Sequence, residues 1–338
     1  MKICVAVKPY RLAFRQALRT AHGVWSERQG FWLRLEDEGG RVGWGEAAPV
    51  VGFGTDTLAR VGETLTKLGP DATEAELDEL VSGGGCVGFA VGAARAEMRG
   101  QDDGVGPDYL SVAALLPAGV DCLRAIRGRC ELGFRTFKWK VGVGDPADER
   151  ALLDDLLSEL PDGSLLRLDA NGAWEPREAE RWLAVCADRE MIEYVEQPLA
   201  PTLRGVADWL MGLAGDYPTK IALDESVVGE ADMERWVGMG WPGVYVIKPA
   251  LWGDVARLLE LVRKDKLDVV ISTALETVVG ARSVLKAGFA LGDSARALGT
   301  GVWPLFHEPW ANGPTAMPFV RQRDLRGLDA VGAWEAGA

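Results

Sequence analysis

Several apolar runs in this 338-residue chain end in side chains that carry charge or move protons. They are Phe137-Lys138-Trp139-Lys140, Leu168-Asp169-Ala170-Asn171, Val195-Glu196-Gln197-Pro198, Leu223-Asp224-Glu225-Ser226 and Ile247-Lys248-Pro249. Lys140 precedes Asp169 by 29 residues, and steps of 27, 28 and 24 lead on to Glu196, Asp224 and Lys248. Singly, each acid reads as a solvated surface residue or a helix cap. Three acids gathered in one poorly solvated place would repel strongly, and a hard divalent cation resolves that conflict. All-oxygen ligation by Asp169, Glu196 and Asp224, completed by water and substrate, suits Mg²⁺, with Mn²⁺ as a substitute. Strand alternation puts Lys138 and Lys140 on one side and Trp139 on the other. A cation and a second ammonium nearby disfavour further positive charge, which suits Lys140 to general-base work. Lys138 reads as an ion-pair partner of a ligand carboxylate. Lys248 reads as a second acid/base or as a fixed charge facing a delocalised intermediate. The chemistry implied is removal of a proton α to a carboxylate, with the metal stabilising the dianionic product.

These residues need a scaffold that brings them together. After about residue 108, eight short apolar runs alternate with amphipathic stretches: 110–116, 136–141, 165–169, 192–196, 220–224, 243–248, 268–272 and 295–299. Near-continuous apolar strands separated by helices indicate a parallel sheet covered on its outer face, and eight such units indicate a (β/α)8 barrel. Functional side chains of a barrel sit at the C-terminal ends of its strands. Residues 1–105 read as an α+β capping domain, with strands at Ile3–Val7, Phe31–Leu35 and Val42–Glu46 and helices around 57–68, 74–81 and 87–99. The barrel spans 106–302, and residues 303–338 are expected to return to the capping domain. Gly83-Gly84-Gly85 reads as a hinge or helix lead-in, because no strand feeds it and the dinucleotide-loop spacing is missing.

A net charge of −13 argues against nucleic-acid or anionic-membrane partners, which require a positive field. A small carboxylate substrate remains open, because a metal and lysines reverse the sign locally. The five cysteines include no C-x-x-C pair and read as reduced thiols of a cytoplasmic protein. No apolar run of membrane-spanning length occurs, and residues 1–10 lack the apolar core of a signal peptide. The pattern leaves the oligomeric state open.

Taken in order, the motifs resemble the enolase superfamily in its muconate-lactonizing subgroup, where a metal ion with a lysine base is a known arrangement. The subgroup with a strand-seven histidine base does not fit, since the histidines are His22 and His307. Within the subgroup the chain is most similar to the o-succinylbenzoate synthase family. That similarity is carried also by Phe14–Gly23, Arg28, Gly43-Trp44-Gly45-Glu46-Ala47-Ala48-Pro49, Phe53-Gly54-Thr55 and Arg167-Leu168-Asp169-Ala170-Asn171. The resemblance implies metal-dependent syn loss of water from 2-succinyl-6-hydroxy-2,4-cyclohexadiene-1-carboxylate in menaquinone or phylloquinone biosynthesis. Lys140 would take the α-proton and protonate the leaving hydroxyl. Lys248 would face the planar intermediate, and Lys138 would tune Lys140. Backbone N–H groups of Ser272, Gly299 and Thr300 would hold the succinyl group. Asn171, Arg167, His22 and Gly23 are further candidates for contacts around the substrate, with the loop 20–25 as a lid. The end of the seventh run, Ser272-Thr273-Ala274, departs from relatives that carry two serines there.

The same scaffold also supports an N-succinylamino acid racemase or dipeptide epimerase, with Lys140 and Lys248 as opposed bases. An epimerase would show an Asp-x-Asp pattern near strand eight, and Leu298-Gly299-Thr300-Gly301 offers none. A non-catalytic barrel would have lost a ligand or a lysine, and none is missing. A metal-hydrolase barrel would want histidine ligands at strand ends.

Overall fold

The computed structural model describes residues 2–20, 23–50, 52–53, 56–100, 106–292 and 295–337. The N-terminal part is built on an antiparallel sheet of order β3-β2-β1-β4, with β1 Lys2–Thr20, β2 Gly23–Glu36, β3 Val42–Ala47 and β4 Asp71–Thr73. β1 and β2 form a hairpin far longer than the short strands expected. The missed signal is a period of two: Tyr10, Leu12 and Phe14 are buried, while Pro9, Arg11 and Ala13 between them are exposed. Pairing continues past an irregularity between Ala13 and Leu18 up to Thr20↔Gly23. The segment expected as a lid loop is therefore largely the end of this ladder. His22, Gly54 and Thr55 lie outside the described residues.

Three helices follow at Leu58–Leu68, Glu74–Ser82 and Gly85–Met98. Thr57 caps the first by accepting from the Arg60 N–H, and Thr73 with Glu76 forms a capping box on the second. The third lies directly on β3. A Cβ placed on Gly43 would fall 1.8 Å from the Ala94 carbonyl oxygen, and one on Gly45 2.0 Å from that of Ala90. The glycines of Gly43-Trp44-Gly45 thus let a helix backbone seat on the strand.

The remaining strands are β5 Tyr109–Ser111, β6 Ala114–Leu116, β7 Thr136–Lys140, β8 Leu165–Asp169, β9 Ile192–Glu196, β10 Ile221–Leu223, β11 Val244–Ile247, β12 Val269–Ile271 and β13 Phe319–Arg321. β6 to β12 form one seven-stranded sheet in sequential order, and its pairs are parallel. The run expected at 110–116 splits in two. Its first half, β5, pairs antiparallel with β13, and among the described residues only its last carbonyl, that of Ser111, takes part in closing the ring. The eighth strand is reduced to two parallel bridges, Val112↔Leu298 and Ser272↔Gly299, which close the ring between its first and last members. Its hydrogen bonds run from Leu298 N to Ser111 O at 2.8 Å and from Gly299 N to Ile271 O at 2.8 Å.

Alternation fills the inside of the ring. Tyr194, Ala222, Val244, Val246 and Val270 pack together as one buried cluster. Residues two places further along these strands, namely Glu196, Asp224, Lys248 and Ser272, share that inward side and stand at the mouth. At the opposite end an ion-pair chain forms the floor, in which Glu193 joins Arg167 and Arg296, and Asp268 joins Arg296 and Lys220.

The C-terminal segment lies on the first sheet. Trp334 packs on Trp44 with ring centroids 5.3 Å apart, Trp310 meets Trp32 at 6.1 Å, and Lys8 donates to the Trp334 carbonyl. No described helix is long and apolar enough to cross a membrane.

The Gly45 contact gives a test. Gly45→Ala must push the Gly85–Met98 helix off β3, and a loss of about 1–3 kcal/mol in denaturant-unfolding free energy is expected. Wild-type stability in that variant would contradict the packing described.

Candidate active site

Sheet register sets the first part of the site. Lys140 is paired in register with Asp169, and Asp169 with Glu196, so three of the expected residues form one row across β7, β8 and β9. Lys138 lies one inward position deeper. Its ammonium is 2.8 Å from Asp169 Oδ2 and 2.7 Å from Glu196 Oε1. From the end of β11, Lys248 ion-pairs with Asp224, and its Nζ stands 4.3 Å from the centroid of the Phe53 ring. Phe53 belongs to the N-terminal part, so that part reaches the barrel mouth. Among the described residues the Lys140 side chain makes no hydrogen bond or ion pair, which sets it apart from the other two lysines.

Burial and crowding dominate the electrostatics. Burial opposes the charge of Lys138, but Asp169 and Glu196, with Asp224 behind them, outweigh it and hold the amine well above the usual lysine range. Lys138 is thus firmly cationic, the paired state that lets an inward lysine be tolerated. Glu196 is pushed up to about 8 by burial first and then by the charge of Asp169, with Lys138 opposing. Glu225 is pushed up to about 7 by burial and by the charge of Asp224.

Two residues in left-handed backbone conformations turn the chain at the mouth, Asn171 at φ 44° and Gln197 at φ 38°. Such conformations cost energy for residues other than glycine and persist where side-chain bonds hold them. The Asn171 N–H donates to Asp169 Oδ1, and its Nδ2 donates to Glu225 Oε1, both at 3.0 Å. Buried Gln197 accepts from the N–H groups of Asp224 and Ser226 at 3.0 and 3.1 Å and donates to Leu199 O and Ser226 Oγ at 2.8 Å each. One amide thereby fixes the backbone that carries Asp224. The loop leaving Lys140 is fixed similarly, since Glu149 accepts from the N–H groups of Gly142, Val143 and Gly144 at 2.7, 3.0 and 2.9 Å. Sequence reasoning missed Glu149. Its signal is an acid in the first turn of a helix entered through Asp145-Pro146, just after the Gly-Val-Gly loop.

Among the described residues no trio of acid, histidine or cysteine side chains stands in ligating geometry, and lysine ammoniums lie against Asp169, Glu196 and Asp224. The donor set still fits a hard cation. Glu196 Oε2 is buried with no partner among the described residues, and the crowded carboxylates raise one another's proton affinity. The N–H groups of Ser272 and Gly299 are not available to a substrate carboxylate, because they donate to Ile247 and Ile271 in closing the ring. Among the described residues the Thr300 N–H has no such partner. Arg167 is 1% exposed and belongs to the floor; it is bound 2.6 Å from Glu193 and 2.8 Å from the Ala297 carbonyl, and so is withdrawn from any substrate contact. Gly23 pairs with Thr20 at the end of the long hairpin.

Comparison with known proteins accounts for this arrangement. Residues 121–312 match the enolase C-terminal domain-like family, and residues 5–98 match the MenC N-terminal domain. The chain is 39% identical over 312 residues to the o-succinylbenzoate synthase of Thermosynechococcus vestitus, covering 90% of this chain and 92% of that one. It is 27% identical over 303 residues to a hydrophobic dipeptide epimerase of Roseobacter litoralis, covering 84% of each. The crystal structure of o-succinylbenzoate synthase from Thermosynechococcus elongatus, complexed with magnesium in its active site, superposes with a TM-score of 0.84 at 36% identity, over 98% of this chain and 99% of that one.

The raised carboxyls fix a pH dependence. Glu196 and Glu225 keep protons in the folded chain that the unfolded chain releases nearer pH 4, so stability falls as pH rises between those limits. With chelator present, the urea midpoint is expected to drop from about pH 5 to about pH 8. A midpoint that is flat or rises over that window would contradict the crowding described.

By sequence and by fold, the chain belongs to the o-succinylbenzoate synthase family of the enolase superfamily.

Proposed function

We propose that this chain is a carbon–oxygen lyase that dehydrates 2-succinyl-6-hydroxy-2,4-cyclohexadiene-1-carboxylate to o-succinylbenzoate in menaquinone or phylloquinone biosynthesis. The observation that carries the mechanism is the contrast among the lysines: Lys138 and Lys248 are ion-paired, whereas Lys140, in register with Asp169, is not. An amine that must accept a proton and then return it is best left unpaired. In this reading Lys140 removes the proton α to the ring carboxylate. The same ammonium then protonates the leaving hydroxyl, which requires proton and hydroxyl to depart from one face. Lys138 bridges Asp169 and Glu196, offsets part of their charge and places positive charge beside Lys140. Lys248, held by Asp224 and Phe53, presents a fixed cation to the planar intermediate. Asp169, Glu196 and Asp224 would hold Mg²⁺, with Mn²⁺ as a substitute. Bound there, the ion supplies Lewis-acid stabilisation of the charge that develops on the substrate carboxylate. Ser272 Oγ, Thr300 and Asn171 are proposed to line the rest of the pocket.

The residue blocks 1–105, 106–302 and 303–338 are proposed as capping domain, catalytic barrel and returning segment of a cytoplasmic enzyme that acts on a small carboxylate and binds neither nucleic acid nor membrane. The second reading is a racemase or epimerase of the same scaffold, which the Roseobacter relative favours. It needs Lys248 as a second base, and the Asp224 ion pair and Phe53 ring both stand against that.

Lys140→Ala is expected to abolish dehydration while titrations of Mg²⁺ binding stay unchanged; retained turnover would reject Lys140 as the base. Chelation is expected to stop turnover and added Mg²⁺ to restore it, whereas chelator-insensitive turnover would reject the metal role.

A further inference from the structure

Two charged side chains of the N-terminal sheet reach one turn of the barrel. Buried Arg28, on β2, donates to four carbonyl oxygens. Those of Ala48 and Pro49, each at 2.6 Å, belong to the loop that leads to Phe53. Those of Ala274 and Leu275, at 3.1 and 3.2 Å, belong to the turn after β12. Glu46, on β3, is 1% exposed. Its carboxylate accepts from Tyr10 Oη, Thr277 Oγ1, Thr277 N and Gly280 N at 2.5, 2.5, 3.0 and 2.9 Å. It therefore sits on the N-terminus of the helix Val278–Leu291, where a negative charge is favoured. The turn between these anchors is not relaxed: Leu275 is held at φ 66°, and the turn's internal bonds are those of Glu276 to Ala274 N and Thr273 Oγ1, and of Thr273 Oγ1 to Leu275 N. It begins at Ser272-Thr273, on the inner rim of the mouth. Among the described residues no hydrogen bond or ion pair joins residues 273–277 to Lys138, Lys140, Asp169, Glu196 or Asp224.

We propose that Arg28 and Glu46 are positioning residues: through the 273–277 turn they set the pocket beside Ser272 and Thr300, and with it the affinity for the substrate's flexible carboxylate arm, leaving proton transfer alone. This inference rests on the dehydration proposed above and names the part of the substrate these residues govern. A guanidinium that ties two loops together by four carbonyl bonds fixes the Ala48–Pro49 backbone against the turn that begins at Thr273. Lysine cannot reproduce that geometry, because it offers a point charge in place of a planar fork.

The test uses the full chain with Mg²⁺ and the variants Arg28→Lys, Arg28→Met and Glu46→Gln. It reads kcat and KM for the cyclohexadiene substrate, and binding of o-succinylbenzoate and of benzoate, which lacks the arm, by calorimetry. KM and the o-succinylbenzoate Kd are expected to rise about tenfold, with kcat within about threefold of wild type and benzoate binding unchanged. A purely structural role would lower Tm and leave these ratios alone. Folded variants with unchanged KM and product affinity would overturn the proposal, as would a fall in kcat at constant KM. Should the Arg28 variants fail to fold, Glu46→Gln, which keeps size and shape, decides the matter by the same readouts. A wild-type chain that neither turns over nor binds o-succinylbenzoate would instead sink the dehydration itself.

Discussion

The structure turns on a balance of charge in a place with little water. Asp169, Glu196 and Asp224 are each buried, and Glu225 adjoins them. Left alone, such a group would be strongly unfavourable as anions. Two lysines from opposite sides of the ring compensate it, with Lys138 between Asp169 and Glu196 and Lys248 against Asp224. The compensation is incomplete, as the unpartnered Glu196 oxygen and the raised carboxyls of Glu196 and Glu225 show. A site in that condition suits the hard cation proposed for these acids, which would stabilise negative charge developing on a substrate carboxylate.

Everything else holds those charges in place. Sheet register supplies the row Lys140, Asp169, Glu196. Gln197 fixes the backbone of Asp224, Glu149 fixes the loop after Lys140, and the floor of ion pairs around Glu193 closes the far end. The N-terminal sheet contributes Phe53 at the mouth and the Arg28 and Glu46 anchors on the turn after β12. Rigid strands thus carry the groups proposed to react, and loops clamped from a second part of the chain carry those proposed to recognise the substrate.

Much of this was legible in the sequence because it depends on local periodicity. Unbroken apolar runs mark the barrel strands, and a polar residue at each run's end marks the mouth, so Lys140, Asp169, Glu196, Asp224 and Lys248 could be picked out by spacing. Long-range pairing was harder. The extent of the β1–β2 hairpin was hidden because arginines and an alanine alternate with its buried aromatics. The diversion of Tyr109–Ser111 to β13 depends on a partner about 210 residues away, which no local pattern announces. The roles of Ser272 and Gly299 were misread for a related reason: whether a strand-end N–H is free depends on how the ring closes. Arg167 stands two residues before Asp169 on the same side of β8, and only the position of Glu193 decides that it faces the floor.

The claim on which the account depends is that acids from β8, β9 and β10 and the unpaired lysine of β7 serve one reacting carbon. A crystal structure of the chain with Mg²⁺ and o-succinylbenzoate tests it most directly. The account predicts one ion bound by Asp169, Glu196 and Asp224 and by the ring carboxylate, with Lys140 Nζ facing the adjacent ring carbon. An ion bound elsewhere, or Lys140 turned away from the ring, would contradict it.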